Sequence, residues 1–194
     1  MGPVRCAVRL GSGASFAEFD LPRMSERMNV ELNAQAVADA LCISAADIGF
    51  ENHELSAWTA GVAYVMVPVR DLTVAANIRF DPQRWSASPL GTTSLYVYCR
   101  GGIDHRVSFH ARMFAPDLGI AEDPATGSAV AAMSGAIQHF DALSAGHHAL
   151  TVEQGVEMGR PSLIHLHIES NRNAIDRARI GGQAVKLAEG RILL

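Results

Sequence analysis

The sequence predicts an α+β fold in which a curved, mostly antiparallel sheet surrounds one helix. The first observation is the stretch 126–140, whose side chains are small and apolar nearly all round a helical wheel. Such a helix is covered by other structure rather than laid on a surface. The second observation is the series of short apolar or alternating segments, separated by Gly, Asn and Pro, that is typical of strands. Many strands around one enclosed helix make an α+β architecture, and we predict a single domain over residues 1–194.

The individual elements follow from local patterns. Asn33 is a good N-cap for a helix that ends at Leu41, and Pro82 is favoured in the first turn of a short helix towards Trp85. Glycines between two alternating segments predict a hairpin at the start of the chain. Strands are predicted at 4–9, 16–21, 54–59, 62–69, 71–77, 94–99, 107–114, 149–154, 163–169 and 183–194. Helices are predicted at 33–41, 82–85 and 126–140, with a short helical turn at 44–47.

Composition argues against several classes of function. The formal net charge is −4 and no block of Lys or Arg occurs, which argues against nucleic acid as a partner. No apolar run reaches the roughly 18 residues that span a bilayer, so no membrane partner is expected. The first residues carry no hydrophobic signal core, which favours the cytoplasm.

The most informative stretch is 122–129, which reads Glu-Asp-Pro-Ala-Thr-Gly-Ser-Ala and leads into the apolar helix. A helix N-terminus leaves four backbone N–H groups without intrahelical partners, and the helix dipole adds about half a positive charge there. Gly127 lets a ligand approach the backbone closely, and Ser128 adds a hydroxyl donor. This order predicts a pocket for a small anion, most simply a carboxylate, with the Asp123 carboxylate at its rim. The alternative is that Asp123 is only a helix-cap acid.

The same stretch, together with the Gln-Gly-Val-Glu-Met-Gly-Arg-Pro-Ser sequence at 154–162, closely resembles the phenazine-biosynthesis-F (PhzF) type family of isomerase-like proteins. The strand at 61–69 and the segment 181–185 extend the resemblance over nearly the whole chain. The family has the diaminopimelate epimerase-like fold, in which each of two domains is a barrel-like sheet around a central helix. The resemblance implies that this chain is equivalent to the C-terminal domain. The Gly-Asn-Pro signature of the first domain, with its nearby glutamate, is not among these 194 residues.

The resemblance also implies roles for the motif residues. Asp123 and Ser128 match catalytic side chains that hold and polarise a small cyclic amino-acid-like acid, while Thr126, Gly127 and Ser128 match the substrate-binding cradle. The family reaction is a cofactor-free proton shift, so neither a cofactor nor a metal is expected. A glutamate of the first domain moves the proton, and we therefore predict binding without turnover by this chain alone. Related racemases place a catalytic cysteine where Thr126 stands, and a threonine hydroxyl is too weak an acid to replace it.

Other candidate groups are weaker. Arg160 in the second motif could supply a cation or pair with Glu157, and a structural role is favoured. His165 and His167 point to one side of a strand, where zinc binding would need a third ligand, so a structural role is again favoured. The same interpretation applies to His147 and His148, while His53, His105, His110 and His139 have no partner at a suitable spacing. Burial is expected for Cys6, Cys42 and Cys99.

Three functions remain open on this evidence. The leading one is a PhzF-like isomerase-family protein that binds a small carboxylate and is inactive without the missing domain. The others are a non-catalytic binding or assembly remnant, and a subunit that pairs with a separate N-terminal half. Because a domain that faces a partner lobe leaves apolar surface exposed, self-association into a homo-oligomer, most simply a homodimer, is also expected.

Overall fold

The computed structural model describes residues 3–171 and 174–191. Its strands are β1 (Cys6–Arg9), β2 (Ser15–Asp20), β3 (Glu26–Arg27), β4 (Ser56–Thr59), β5 (Ala63–Pro68), β6 (Ser94–Arg100), β7 (Phe109–Ala115), β8 (Ile120–Asp123), β9 (Gly146–Gln154), β10 (Ser162–Asn171) and β11 (Ala174–Ala184). Its helices are α1 (Ala34–Leu41), α2 (Leu72–Asn77), α3 (Pro82–Ser86) and α4 (Gly127–Phe140), with 3₁₀ turns at Ala45–Asp47 and Pro116–Leu118.

The strands form one mixed sheet in the described part of the chain. Its order is β1-β2-β11-β10-β9-β7-β6-β5-β4-β3, with β8 paired to β7. Most neighbours are antiparallel, whereas β5 pairs with β6, and β7 pairs with β9, in parallel. The path ends at β1 and β3, which do not pair with each other in residues 3–171, so a closed barrel is not shown.

The predicted apolar helix is α4, and eleven of its fourteen residues are buried. It contacts β10 and β11 and also β3, β4 and β5, so strands near both ends of the sheet touch the same helix. Its small residues permit close packing, since a Cβ added at Gly135 would lie only 2.7 Å from the Trp58 ring. That α4 is the central helix of the expected fold stays a prediction. Among the described residues no helix is long and apolar enough to cross a membrane.

Strand alternation decides which side chains of β5 and β6 reach α4. One set joins the core around α4: Tyr64, Met66, Tyr96 and Tyr98. The intervening set belongs to a second core with residues of α1, α2 and α3: Val65, Val67, Leu95 and Val97. The sheet is therefore covered on both faces here, and the tyrosines lie on the face that carries α4.

Several local predictions are confirmed. The β1–β2 hairpin, α1, α3, α4 and the turn at Ala45–Asp47 lie within a few residues of their predicted positions. The Asn33 side chain accepts a hydrogen bond from the Ala36 N–H at 3.0 Å, as an N-cap does. Pro82 lies in the first turn of α3, where its missing N–H has no cost.

The strand predicted at 71–77 is wrong, because Leu72–Asn77 form the helix α2. The Asp71 side chain caps this helix by accepting a hydrogen bond from the Val74 N–H at 2.9 Å. Val74 and Ala75 are buried against the sheet. The cap and this packing outweigh the β propensity of the Val and Thr residues in the segment.

The last strand is also misplaced by the prediction, since β11 spans Ala174–Ala184 rather than 183–194. The apolar residues of β11 did not suggest a strand in the sequence, because Arg177 and Arg179 stand between them. Both arginines pair with acids on β2. Residues 192–194 of the predicted strand lie outside the described residues. β3 and β8 have no counterpart among the predicted elements.

The cysteines divide into two groups. Cys99 is buried as expected, and burial raises the pKa of its thiol to about 12. Cys6 and Cys42 are exposed, so the expectation of burial is wrong for both. Cys6 lies on β1, the edge strand whose four residues are all exposed, and Cys42 ends α1 in the left-handed region at φ 54°.

Candidate functional site

The predicted site residues lie in the loop between β8 and α4 and directly on either side of it. β8 ends at Asp123, Pro124 has no N–H to extend the ladder, and α4 begins at Gly127. Thr126 is the N-cap by position, but its hydroxyl does not cap the helix and instead donates to Asp123 Oδ2 at 2.5 Å. No hydrogen bond reaches Asp123 Oδ1 from the residues that the structure describes. One carboxylate oxygen is therefore occupied and the other is open.

The first two amides of α4 are open as well. Within the described residues, no atom accepts a hydrogen bond from the backbone N–H groups of Gly127 and Ser128, whereas Ala129 and Val130 both donate to the Thr126 carbonyl. A Cβ added at Gly127 would meet only the Ile180 side chain, at an ordinary contact distance of 3.6 Å. Two unpaired donors at the positive end of a helix dipole can bind a small anion.

A tyrosine completes this end of the helix. Tyr64 Oη lies 2.7 Å from Ser128 Oγ, and either hydroxyl can be the donor. Burial raises the pKa of the Tyr64 phenol, and the Asp123 charge adds to this effect while the hydrogen bond with Ser128 opposes it. The phenol therefore stays protonated at neutral pH. The two hydroxyls share one hydrogen bond between them. When Tyr64 donates that bond, the exposed Ser128 hydroxyl is free to donate its own hydrogen to a ligand.

The second motif contacts the first through Gln154, which is fully buried. Its Nε2 donates to the Asp123 carbonyl at 2.6 Å and to Thr126 Oγ1 at 2.9 Å. Its Oε1 accepts from the Thr126 N–H at 3.3 Å and from the Tyr96 hydroxyl at 3.2 Å. One amide side chain thus holds the loop before α4 by three separate atoms.

The glycine that follows fixes how closely the two motifs approach. Gly155 has φ +79°, and a Cβ there would lie 2.5 Å from the Arg160 carbonyl oxygen and 2.8 Å from the Pro124 carbonyl oxygen. Neither backbone atom can move aside easily. Glycine is therefore required at 155 by conformation and by space.

Glu122, the other acid of the first motif, is engaged elsewhere. The buried Arg112 of β7 binds both of its carboxylate oxygens, at 2.8 Å through Nε and 2.9 Å through Nη2. Arg112 Nη1 also donates to the carbonyls of Ala75 and Ile78. This bidentate pair anchors β8 to β7 and leaves Asp123 as the motif's open acid.

The turn of the second motif is tied to a buried histidine. His110 contacts Glu153 Oε1 through Nδ1 at 2.8 Å and Glu157 Oε1 through Nε2 at 2.9 Å, so the expectation that it has no partner is wrong. Burial lowers the pKa of His110, but the hydrogen bonds to the two glutamates outweigh it, and the pKa is raised. Glu157 therefore does not pair with Arg160, whose guanidinium has no hydrogen-bond partner in the described part of the chain.

A second buried histidine lies at the C-terminal end of α4. His53 contacts the Tyr98 hydroxyl through Nδ1 at 2.8 Å and Asp141 Oδ1 through Nε2 at 3.0 Å. Arg100 donates to both oxygens of Asp141, at 2.6 Å and 3.1 Å. Burial alone raises the pKa of Asp141, but the bonds from His53 and Arg100 prevail and lower it to about 2. His53 thus has partners that its sequence spacing did not indicate.

The strand histidines form no evident ligand set. His167 stacks on His147, with 3.1 Å between His147 Nε2 and His167 Nδ1, and His165 packs edge-on against Phe16. In residues 3–171 and 174–191, no group of three or more His, Cys, Asp or Glu side chains could hold a metal ion.

The four predicted site residues thus lie together between the end of β8 and the first turn of α4, and two further residues join them. Gln154 opens the second motif, so the sequence contains a signal for it, although the segment suggested only a structural turn. Tyr64 carries no such signal: it is one apolar position of a strand, 64 residues from Ser128. Its part in the site depends on the placement of β5 beside α4.

Comparison with known proteins gives the family. A family model described as "Phenazine biosynthesis-like protein" (PhzC-PhzF) matches residues 2–190. An uncharacterized isomerase of Mesorhizobium japonicum is 48% identical over 199 residues, covering 100% of this chain and 66% of that protein. A trans-2,3-dihydro-3-hydroxyanthranilate isomerase of Pseudomonas chlororaphis is 33% identical over 98 residues, which are 50% of this chain and 34% of that enzyme.

Solved structures agree on the fold. A PhzF-family protein of Bacillus anthracis superposes with a TM-score of 0.85 at 19% identity, covering 98% of this chain and 65% of that one. The chain thus spans about two thirds or less of the length of these relatives. The family match runs over nearly all of the chain and does not single out a C-terminal portion. Its extent and the Mesorhizobium similarity show that the chain belongs to the phenazine biosynthesis-like (PhzF) isomerase family.

Proposed function

We propose that this protein binds a small amino-acid-like or cyclic carboxylate at the start of α4, as part of a cofactor-independent isomerase. The observation that carries the proposal is the pair of unpaired N–H groups of Gly127 and Ser128 beside the Asp123 carboxylate. The two amides and the helix dipole attract the ligand's carboxylate. The open oxygen of Asp123 then lies beside the ligand, where it can accept a hydrogen bond from an amine or hold a proton.

The substrate class follows from the same arrangement. A ligand with a carboxylate and a neighbouring amine satisfies both the amides and Asp123, and the Ser128–Tyr64 hydroxyl pair adds a neutral donor. The Pseudomonas relatives are named for trans-2,3-dihydro-3-hydroxyanthranilate, which is a cyclic amino acid of this kind. Asp123 and Ser128 are the catalytic candidates in this proposal, and Thr126 and Gly127 complete the cradle.

We also propose that the 194 residues are equivalent to the C-terminal domain and bind such a ligand without turning it over. A proton shift needs a positioned base, which contributes about 10² to 10⁴ in rate. Glu122 cannot serve, because Arg112 holds both of its oxygens. The base in the proposal is the glutamate of a first domain, either in the same protein or in a separate chain.

Deuterium exchange tests the proposal. The chain is incubated with trans-2,3-dihydro-3-hydroxyanthranilate in D₂O, where NMR follows the ligand's C–H signals, and a separate titration in H₂O follows the Gly127 and Ser128 amide signals. We expect the two amide signals to shift and the ligand to retain its protons. Amide shifts spread evenly over the chain would contradict the site. Exchange by the chain alone that disappears in Asp123→Asn would show that the base lies in this half.

Mixing the chain with a fragment that carries the Gly-Asn-Pro signature and its glutamate separates the alternatives. Restored exchange favours a protein, or a pair of chains, in which the two halves act together. Ligand binding that never leads to exchange favours the non-catalytic remnant. The Asp123→Asn variant is the control in the mixture, since it should abolish any exchange that is restored.

Self-association remains part of the proposal. The β1–β2 hairpin exposes apolar side chains, with Val8 60%, Leu10 84% and Phe19 40% exposed, and Phe19 pairs with Ile180 of β11, which lies against Gly127. Exposed apolar surface next to a binding site favours a protein partner, here a second copy. Light scattering at high protein concentration should give a mass above that of one chain, and a clean monomer would remove this part of the proposal.

A further inference from the structure

The orientation of the Gln154 side-chain amide is fixed by its partners. The Thr126 backbone N–H can only donate, and the Asp123 carbonyl can only accept. The oxygen Oε1 must therefore face the Thr126 N–H, and the nitrogen Nε2 must face the Asp123 carbonyl, as the 3.3 Å and 2.6 Å distances have it. If the amide were flipped, its NH₂ group would face the Thr126 N–H, donor against donor, and its oxygen would face the Asp123 carbonyl, acceptor against acceptor. Because Gln154 is fully buried, water cannot relieve such a mismatch.

This orientation in turn decides the direction of the Thr126 hydroxyl. Nε2 of Gln154 has only hydrogens to offer, so Thr126 Oγ1 must accept from it at 2.9 Å. The single hydrogen of the hydroxyl is then left for Asp123 Oδ2, at 2.5 Å. The chain of bonds runs in one direction, from Gln154 through Thr126 to Asp123.

We propose that Gln154 is a positioning residue that acts through the Thr126 hydroxyl to occupy Asp123 Oδ2 and present Oδ1 alone to a bound molecule. This inference rests on the proposed function for its consequence in binding. Oδ2 already accepts a hydrogen bond from the Thr126 hydroxyl, whereas both lone pairs of Oδ1 are free of bonds from the described residues, so a proton or an amine of the ligand is directed to Oδ1. Tyr96 donates to Gln154 Oε1 at 3.2 Å and so stabilises the same orientation of the amide. The invariable direction of the bonds is what a merely space-filling side chain at 154 could not supply.

The bond direction is tested on the free protein. In NMR spectra of protein labelled in its Gln side chains, the Thr126 hydroxyl proton should give a separate signal with a nuclear Overhauser contact to the Gln154 amide protons. The signal should persist in Thr126→Ser and vanish in the isosteric Thr126→Val. In Gln154→Glu the hydroxyl turns towards the new carboxylate, so the signal should move. An unchanged signal in Gln154→Glu would overturn the inference.

The consequence for binding is tested with 3-hydroxyanthranilate, an aromatic amino acid that carries the carboxylate and amine. Losing a hydrogen bond that orients a charged group weakens binding about tenfold. We expect that loss in Thr126→Val and Gln154→Glu, and an affinity within about twofold of the unchanged protein in Thr126→Ser. Gln183→Glu, on an exposed position of β11, is the matched control for charge.

The two readouts separate the two hypotheses. If the unchanged protein does not bind 3-hydroxyanthranilate, the proposed function fails, while the hydroxyl signal still decides the direction of the bonds. If Thr126→Val binds as tightly as the unchanged protein, the positioning role is overturned even though the site exists. Thermal unfolding of each variant guards against misfolding, and Thr126→Ser provides the rescue that a purely structural role would not require.

Discussion

The two ends of α4 are built from similar residues and differ in what they leave open. Each end has an aspartate and a tyrosine: Asp123 with Tyr64 at the start, and Asp141 with Tyr98 at the end. At the C-terminal end, His53 and Arg100 bind both oxygens of Asp141. At the N-terminal end, only one oxygen of Asp123 is bonded in the described residues, and two helix amides beside it are unpaired.

The difference teaches that residue type alone does not mark a site. A partly buried acid whose two oxygens are both hydrogen-bonded stabilises the fold, because a charge that is removed from water must be paired to be tolerated. An acid with one open oxygen beside unpaired donors has interactions left for a ligand. Changes at the C-terminal end should therefore alter stability, and changes at the N-terminal end should alter binding.

The largest effect is expected where the N-terminal end depends on close packing. Gly155→Ala places a Cβ 2.5 Å and 2.8 Å from two backbone oxygens in a residue at φ +79°. Overpacking costs about 1–3 kcal/mol and a left-handed alanine about 1–2 kcal/mol more, so unfolding free energy should fall by about 3 kcal/mol or more. Urea unfolding measures this loss.

Gly159→Ala is the matched control for that prediction. Gly159 also has a left-handed φ, +67°, but a Cβ there meets nothing within 4 Å. It should cost only the conformational term, about 1–2 kcal/mol. Equal losses in the two variants would mean that the contact between the second motif and Pro124 does not hold the loop before α4.

The second prediction compares the same substitution, aspartate to asparagine, at the two ends of α4. Asp141→Asn removes the charge that His53 and Arg100 bind, and should lower the unfolding free energy by about 2 kcal/mol at neutral pH. Asp123→Asn should change stability by less than about 0.5 kcal/mol and should abolish binding of a ligand amine. Urea unfolding of both variants measures the change in stability, and a titration of both with 3-hydroxyanthranilate measures the change in binding.

The pH dependence of that loss has a definite sign. The folded pKa of Asp141 is lowered to about 2 from an ordinary 3.8, so the aspartate stabilises the fold above about pH 4. This contribution disappears as the pH falls through 4 towards 2. The stability gap between the unchanged protein and Asp141→Asn should therefore close on acidification. A gap that stays constant down to pH 2 would contradict the role assigned to the charge.

Sequence reasoning reached the parts of this picture that local order determines. The α4 stretch, the Asn33 cap and the loop with Asp123 and Ser128 each follow from neighbouring residues. Asp71 shows the limit of such reasoning, because it caps a helix in a segment whose β-branched residues favour a strand.

The partners of the site could not be predicted, because they are distant in sequence. Gln154 is 28 residues from Thr126, and Tyr64 is 64 residues from Ser128. His110 meets Glu153 because β7 and β9 pair in parallel, which no local pattern specifies. Spacing finds residues on one element, whereas the order of strands in the sheet decides which elements meet.

The smallest effect is expected from the two tyrosine hydroxyls, and it compares the ends of α4 most directly. Tyr64→Phe removes the partner of Ser128 Oγ and keeps the ring in the core. A neutral hydrogen bond is worth about 0.5–1.5 kcal/mol, so the affinity for acetate at the Gly127 and Ser128 amides should fall by about two- to tenfold. Tyr98→Phe leaves His53 Nδ1 without its partner and should lower stability by a similar free energy without changing acetate affinity. An NMR titration with acetate and urea unfolding of both variants test this division. If Tyr98→Phe weakens acetate binding as much as Tyr64→Phe does, the two ends are not independent, and the site at the start of α4 extends along the helix.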